Sequence, residues 1–248
     1  MKYEFVPGDE ITIAPGRTVK RIRALVAIEI FGVVPGQLGG YIESESNLSQ
    51  SGSAWVSDFA RVSCSACVSD SACVSDSACV SGSAWVIDFA RVSCSARVSD
   101  FACVSGSAWV SGSARVSGSA RVSDFARVSG SARVSDFARV SDFACVSDFA
   151  RVSGSAWMSC SAWVSGSARV SDSALIVWFS HVGSENGTLT VYNAKDKTIE
   201  VTRGCFEGTI DEFLEASEKK HDDATHLEYR LLIEVAYSRI TRARGDKK

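Results

Sequence analysis

Between Ser51 and Ile176, arginine, tryptophan and cysteine alternate at one position of a six-residue frame, and these are the side chains in this 248-residue chain best suited to chemistry. Guanidinium groups in a row can bind phosphates, polysaccharide carboxylates or an acidic protein surface through charge-assisted hydrogen bonds. Cys64-Ser-Ala-Cys67 has the spacing of half a zinc site, but tetrahedral zinc takes four ligands and no second Cys-x-x-Cys pair is present. The three histidines, His181, His221 and His226, all follow the six-residue frame. The frame itself therefore holds no histidine to act as a general base. These residues predict no catalytic set, no metal site and no cofactor.

The frame divides residues 51–176 into 21 uninterrupted units of Ser, Gly/Asp/Cys, Ser/Phe, Ala, Arg/Trp/Cys, Val. The fourth residue is always Ala, the sixth is Val except at Met158 and Ile176, and the first is Ser except at Ile87. Ala and Val lie two apart, so in an extended strand both point to one side and the fifth residue points to the other. A helix fails the same test, because a step of six advances about 600° and spreads the valines around the axis. The Ser-Gly or Ser-Asp that follows each Val favours a turn. Each unit is thus a short strand and a bend, too small to fold alone, and stacking at roughly 4.8 Å buries Ala on Ala and Val on Val. Periodicity predicts an all-β solenoid and leaves open how many units make a coil.

Composition narrows the setting. The chain has 46% hydrophobic residues, a formal net charge of −3 and nine cysteines. No global basic field recruits nucleic acid or anionic lipid, and no apolar run of about 18 residues spans a membrane. MKYEFVPGDE lacks the apolar core of a secretory signal. With an odd number of cysteines, this predicts free thiols and a cytoplasmic location.

The frame Val-Ser-Asp-Phe-Ala-Arg resembles the hexapeptide repeat of left-handed parallel β-helices, in which an aliphatic residue is followed four places later by a small one. Val34-Pro-Gly-Gln-Leu-Gly-Gly-Tyr-Ile-Glu, Asn47-Leu-Ser-Gln, the segment from Gly183 and that from Thr202 are similar to the flanks of bacterial and prophage hexapeptide-repeat proteins. The resemblance implies left-handed winding and three hexads per triangular coil, hence about seven coils and a prism roughly 34 Å long. Some such proteins carry an acyltransferase label, which implies an acyl-coenzyme A donor and a histidine on the solenoid. Lateral trimers of the resembled enzymes imply homo-oligomers formed through solenoid faces.

On three hexads per coil, one face reads Arg61, Cys79, Arg97, Arg115, Arg133, Arg151, Arg169 at position five. Six arginines in seven rungs form a candidate anion-binding ladder. The solenoid's ten arginines are balanced by ten aspartates at position two, and five arginines share a hexad with both Asp and Phe. Local ion pairs and stacking on phenylalanine are therefore expected to absorb much of this charge. Trp55, Trp85, Trp109, Trp157 and Trp163, with the position-three phenylalanines, are expected to be partly exposed and to mark an association surface. Most exchanges among hexads, such as Arg for Cys or Trp, need one base change, which suggests duplicated units drifting at outward sites.

Residues 1–50 are expected to form an N-terminal β cap and residues 177–248 a C-terminal α+β cap. In the latter, Thr188-Leu-Thr-Val-Tyr and Thr198-Ile-Glu-Val-Thr read as a hairpin, and Thr209-Ile-Asp-Glu212 as a capping box opening a helix to about Lys220. A second helix is predicted from near Ala224 to Arg242 with Leu227, Leu231, Ile233, Val235 and Ile240 on its apolar side. The functional expectation is a non-catalytic scaffold or interaction protein whose partner is a protein or a polyanion. Acyl transfer and polyanion binding through the arginine ladder stand as alternatives.

Overall fold

A computed structural model describes residues 1–245, apart from the side chain of Asp196. The repeat forms a parallel β-solenoid. Twenty two-residue strands, β4 (Trp55–Val56) to β23 (Arg169–Val170), occupy positions five and six of successive hexads and fall into three sheets. Partners are 18 residues apart: Arg97 pairs with Arg115, Arg91 with Trp109 and Cys103 with Arg121. Three hexads per coil and about seven coils are thus observed. Every position-four Ala from Ala54 to Ala168 and every position-six residue from Val56 to Val164 is fully buried, so one narrow column of methyl groups is the core; Ala174, in the last hexad, is exposed.

The corners explain position two. From Gly52 to Gly166 this residue has φ between 55° and 68°, the left-handed region. Glycine enters it without a Cβ clash, and aspartate tolerates it better than most residues. Backbone bonds then tie coil to coil, as in Arg115 N–H to Ala132 O at 2.9 Å and Ser113 N–H to Gly130 O at 2.7 Å. The last hexad departs from the rule: Asp172 has φ −147°, and residues Ser173–Leu175 make a 3-10 turn. Leu175 therefore does not extend the third sheet, and the chain leaves the solenoid there.

At the N-terminus, β1 (Tyr3–Ala14) and β2 (Arg17–Ala24) form an antiparallel hairpin, and β3 (Leu38–Ile42) joins it to the solenoid by pairing Tyr41 with Arg61. Leu48 bridges to Val68, so the sheets run without a break across residue 50, in a first coil with a step of 20 rather than 18 residues. At the other end β24 (Ile176–Val182), β25 (Gly187–Asn193), β26 (Ile199–Arg203) and β27 (Phe206–Thr209) make an antiparallel sheet. Its hairpin β25–β26 is the expected one. Helix α1 (Ile210–Lys220) starts at the Thr209/Glu212 capping box, and α2 (Asp223–Arg244) follows.

Helix α2 docks a face that shares only Ile233 and Ile240 with the expected one. Tyr229, Ile233, Ala236 and Ile240 are buried against the sheet, whereas Leu227, Leu231 and Val235 are exposed. Tyr229 and Ala236, counted as neutral by apolar patterning, complete the spacing that meets Leu189, Val191 and Val201. Among the described residues, no helix is long and apolar enough to cross a membrane.

Candidate anion-binding surface

The fifth residue of each hexad faces outward beside a buried Val, so stacking coils turns sequence spacing of 18 into a ladder. Arg61, Cys79, Arg97, Arg115, Arg133, Arg151 and Arg169 lie on consecutive rungs of one sheet, here the arginine sheet. Arg97, Arg115, Arg133 and Arg151 are exposed, while Arg61 and Arg169 are half-buried at the two ends. The rung beneath Arg61 carries Tyr41, and the backbone of Arg169 is bonded by Asn193 Nδ2 at 2.9 Å.

The expected neutralisation of these arginines does not occur. Among the described residues, ion pairs join Arg17 to Glu43, Arg23 to Glu4 and Lys219 to Glu215, and none involves a solenoid arginine. Among the described residues, the cations that lie over rings come from the N-terminal cap, where Lys20 meets Phe5 and Arg21 meets Tyr41 and the solenoid's Phe59. The aspartates have another use. Asp76 Oδ2 accepts from Cys94 N–H at 2.8 Å, Asp88 Oδ2 from Gly106 N–H at 2.9 Å and Asp142 Oδ2 from Cys160 N–H at 2.9 Å. Each such carboxylate is drawn along the corner toward the next coil and away from the flat face bearing the arginine.

The tryptophans separate into two groups. Trp85, Trp109, Trp157 and Trp163 are exposed by 41–55%, as expected of a contact surface. Trp55 is 1% exposed, and this corrects its assignment to that surface. It lies in the first coil under the N-terminal cap, where a Cβ on Gly39 would stand 2.7 Å from its Cζ2. Lys2 closes the same end, its Nζ donating to Ala54 O at 2.8 Å.

Position-three phenylalanines stand out at the corners, and one row builds a groove that hexad patterning did not reveal. Phe89, Phe125 and Phe143 flank Arg91, Trp109 and Arg127 on the second sheet, in a groove of about 610 Å³. Phe125 and Phe143, on adjacent coils, stack at 5.1 Å with an interplanar angle of 4°. The signal lay in the sequence as Phe recurring at intervals of 18 or 36, legible only once the coil length was known.

Cysteine chemistry is limited by placement. Cys64 sits on an exposed corner and Cys67 on a half-buried strand position, so the Cys-x-x-Cys pair points in two directions. Burial pushes the Cys73 thiol up to about 11 and raises those of Cys67, Cys103 and Cys145. The histidines are all in the C-terminal cap: His221 Nδ1 lies 3.4 Å from Ser184 Oγ, His226 Nδ1 lies 3.3 Å from Ser217 Oγ, and His181 is exposed. Among the described residues, no three His, Cys, Asp or Glu side chains are grouped to hold a metal ion. No family model and no curated protein sequence matches this chain.

Proposed function

We propose that the protein is a non-catalytic, cytoplasmic β-solenoid scaffold of the bacterial or prophage hexapeptide-repeat type, wound left-handed as that resemblance implies. Its outward side chains are the working surface, through which it meets a protein partner or a second copy of itself. The observation that carries this reading is the uninterrupted stack of coils, whose ladders of Arg, Trp and Phe face solvent. Coils without an extruded loop offer an extended contact surface, with a groove walled by Phe89, Phe125 and Phe143 on the second sheet. The acyltransferase alternative is tested by titration with coenzyme A. No binding at millimolar ligand is expected, and stoichiometric binding would replace the scaffold reading with an enzymatic one.

A second reading, polyanion binding by the arginine sheet, is favoured by the unpaired state of Arg97, Arg115, Arg133 and Arg151. Guanidinium groups at roughly 4.8 Å intervals match a repeating anion better than a single small one. Replacing these four arginines by Gln should abolish salt-sensitive binding of inorganic polyphosphate. Binding that survives the replacement would reject this face.

A further inference from the structure

We infer that the second sheet, together with the edge it shares with the arginine sheet, binds a short stretch of single-stranded nucleic acid, with phosphates on the arginines of that edge and bases on Trp109 and, across the sheet, on Phe125. The inference deepens the polyanion reading and rests on it. Position two of this corner reads Asp58, Asp76, Cys94, Gly112, Gly130, Asp148 along the solenoid. Three successive coils therefore turn this corner without an acid, and Asp76 and Asp148 bracket them.

Five exposed arginines border that uncharged stretch, Arg91 and Arg127 on one side and Arg97, Arg115 and Arg133 on the other. The solenoid sums to zero charge, yet its cations gather here. The nearest carboxylates are the bracketing ones, Asp76, whose Oδ2 accepts from Cys94 N–H at 2.8 Å, and Asp148, one coil beyond Gly130; the others stand on the two far corners. Asp88 and Asp124, across the second sheet, are engaged by Gly106 N–H at 2.9 Å and Asp142 N–H at 3.5 Å. Asp100 and Asp136, across the arginine sheet, accept from Gly118 N–H at 3.1 Å and Gly154 N–H at 3.2 Å.

The aromatic side chains decide which polyanion fits. Trp109 stands between Arg91 and Arg127, and its Nε1 donates to Ser93 Oγ at 3.1 Å, which holds the indole toward the same edge. Beyond it lies the groove walled by Phe89, Phe125 and Phe143, lined by no carboxylate or amide. A glycan would need such groups for its hydroxyls, and the groove's one hydroxyl is that of Ser107. Nucleobases need only ring faces, and stacking of this kind is tolerant of base identity. Three rungs set the outer arginines roughly 10 Å apart, room for two or three phosphates.

The test uses the full chain, with fluorescent oligodeoxythymidine and inorganic polyphosphate as separate probes. Trp109→Ala and Phe125→Ala should each weaken oligonucleotide binding by about tenfold while leaving polyphosphate binding unchanged, which also reports an intact fold. Arg115→Gln with Arg133→Gln should weaken both probes and flatten the salt dependence. Polyphosphate binding without any Trp109- and Phe125-dependent preference for the oligonucleotide would overturn this inference and leave the anion reading standing. Failure of both probes at low salt would overturn both. A homodimer that depends on Trp109 and ignores the oligonucleotide would assign the groove to self-association instead.

Discussion

Each hexad turns its corner on a second residue held at positive φ, and the chemistry of that one position governs the surface. Glycine fits without strain, and aspartate adds a carboxylate that accepts the next coil's backbone N–H, as Asp76 does from Cys94. A sequence reader sees equal numbers of Arg and Asp and pairs them. The left-handed corner directs the Asp along the axis and the strand directs the Arg outward, so the pairing fails for a conformational reason. Cysteine illustrates the same division. Cys64, Cys94, Cys160 and Cys205 are exposed, whereas Cys67, Cys73, Cys103 and Cys145 lie half-buried on strands with raised thiol pKa values. Iodoacetamide at pH 7.5, followed by peptide mass spectrometry, should modify the first group before the second. Cys73 should lag by roughly a hundredfold because its thiolate population is that much smaller. Equal rates would show that the strand positions open freely.

Two-residue strands have no independent stability, so the elements that close the stack matter as much as the stack. Trp55 is the one position-five tryptophan that a cap covers fully, and its burial was not legible because nothing in the hexad distinguishes Trp55 from Trp85. The cap also buries Lys2, whose ammonium pKa falls from 10.5 to about 8 because burial disfavours the charged form. Between those values the unfolded chain binds more protons than the folded one, so stability rises with pH across that window. Below about pH 8 both states are protonated and the contribution is constant. Urea midpoints measured at pH 7.5 and pH 10 should therefore diverge between the native protein and Lys2→Met, the native protein gaining relative to the variant at high pH. Thiols and tyrosines ionise in both proteins and cancel in the comparison. A constant difference would show that Lys2 remains charged in the folded state. In the C-terminal cap, the capping box and hairpin were legible because their signals are local. The buried face of α2 was legible only at Ile233 and Ile240, because Leu227, Leu231 and Val235 are as regularly spaced as the Tyr229, Ile233, Ala236 and Ile240 face that docks.

At the scale of the whole molecule the hexads are interchangeable inside and distinct outside. Deleting Ser111–Val116 keeps every inward Ala and Val in register and shifts all later hexads by one face. The arginine sheet would then read Arg97, Arg121, Arg139, Trp157 from its third rung, in place of an unbroken run from Arg97 to Arg169. The variant should fold, with far-ultraviolet circular dichroism like the parent's and a Tm within a few degrees. Its polyphosphate affinity should fall several-fold. Loss of folding would mean that coil-specific surface contacts, and not the methyl column, hold the stack together.

The sequence by itself determined the repeat, the identity of its inward residues and the presence of a cap at each end. Those features follow from local backbone geometry and from packing that any coil number must satisfy. Coil length came from resemblance and was then observed in the strand register. Tertiary structure alone decided which outward residues are covered, where the aspartates are spent and which five arginines border the three coils that turn their corner without an acid. Each of these depends on contacts between residues 18 or more positions apart, and the separation at which neighbours meet is set by how the coil closes.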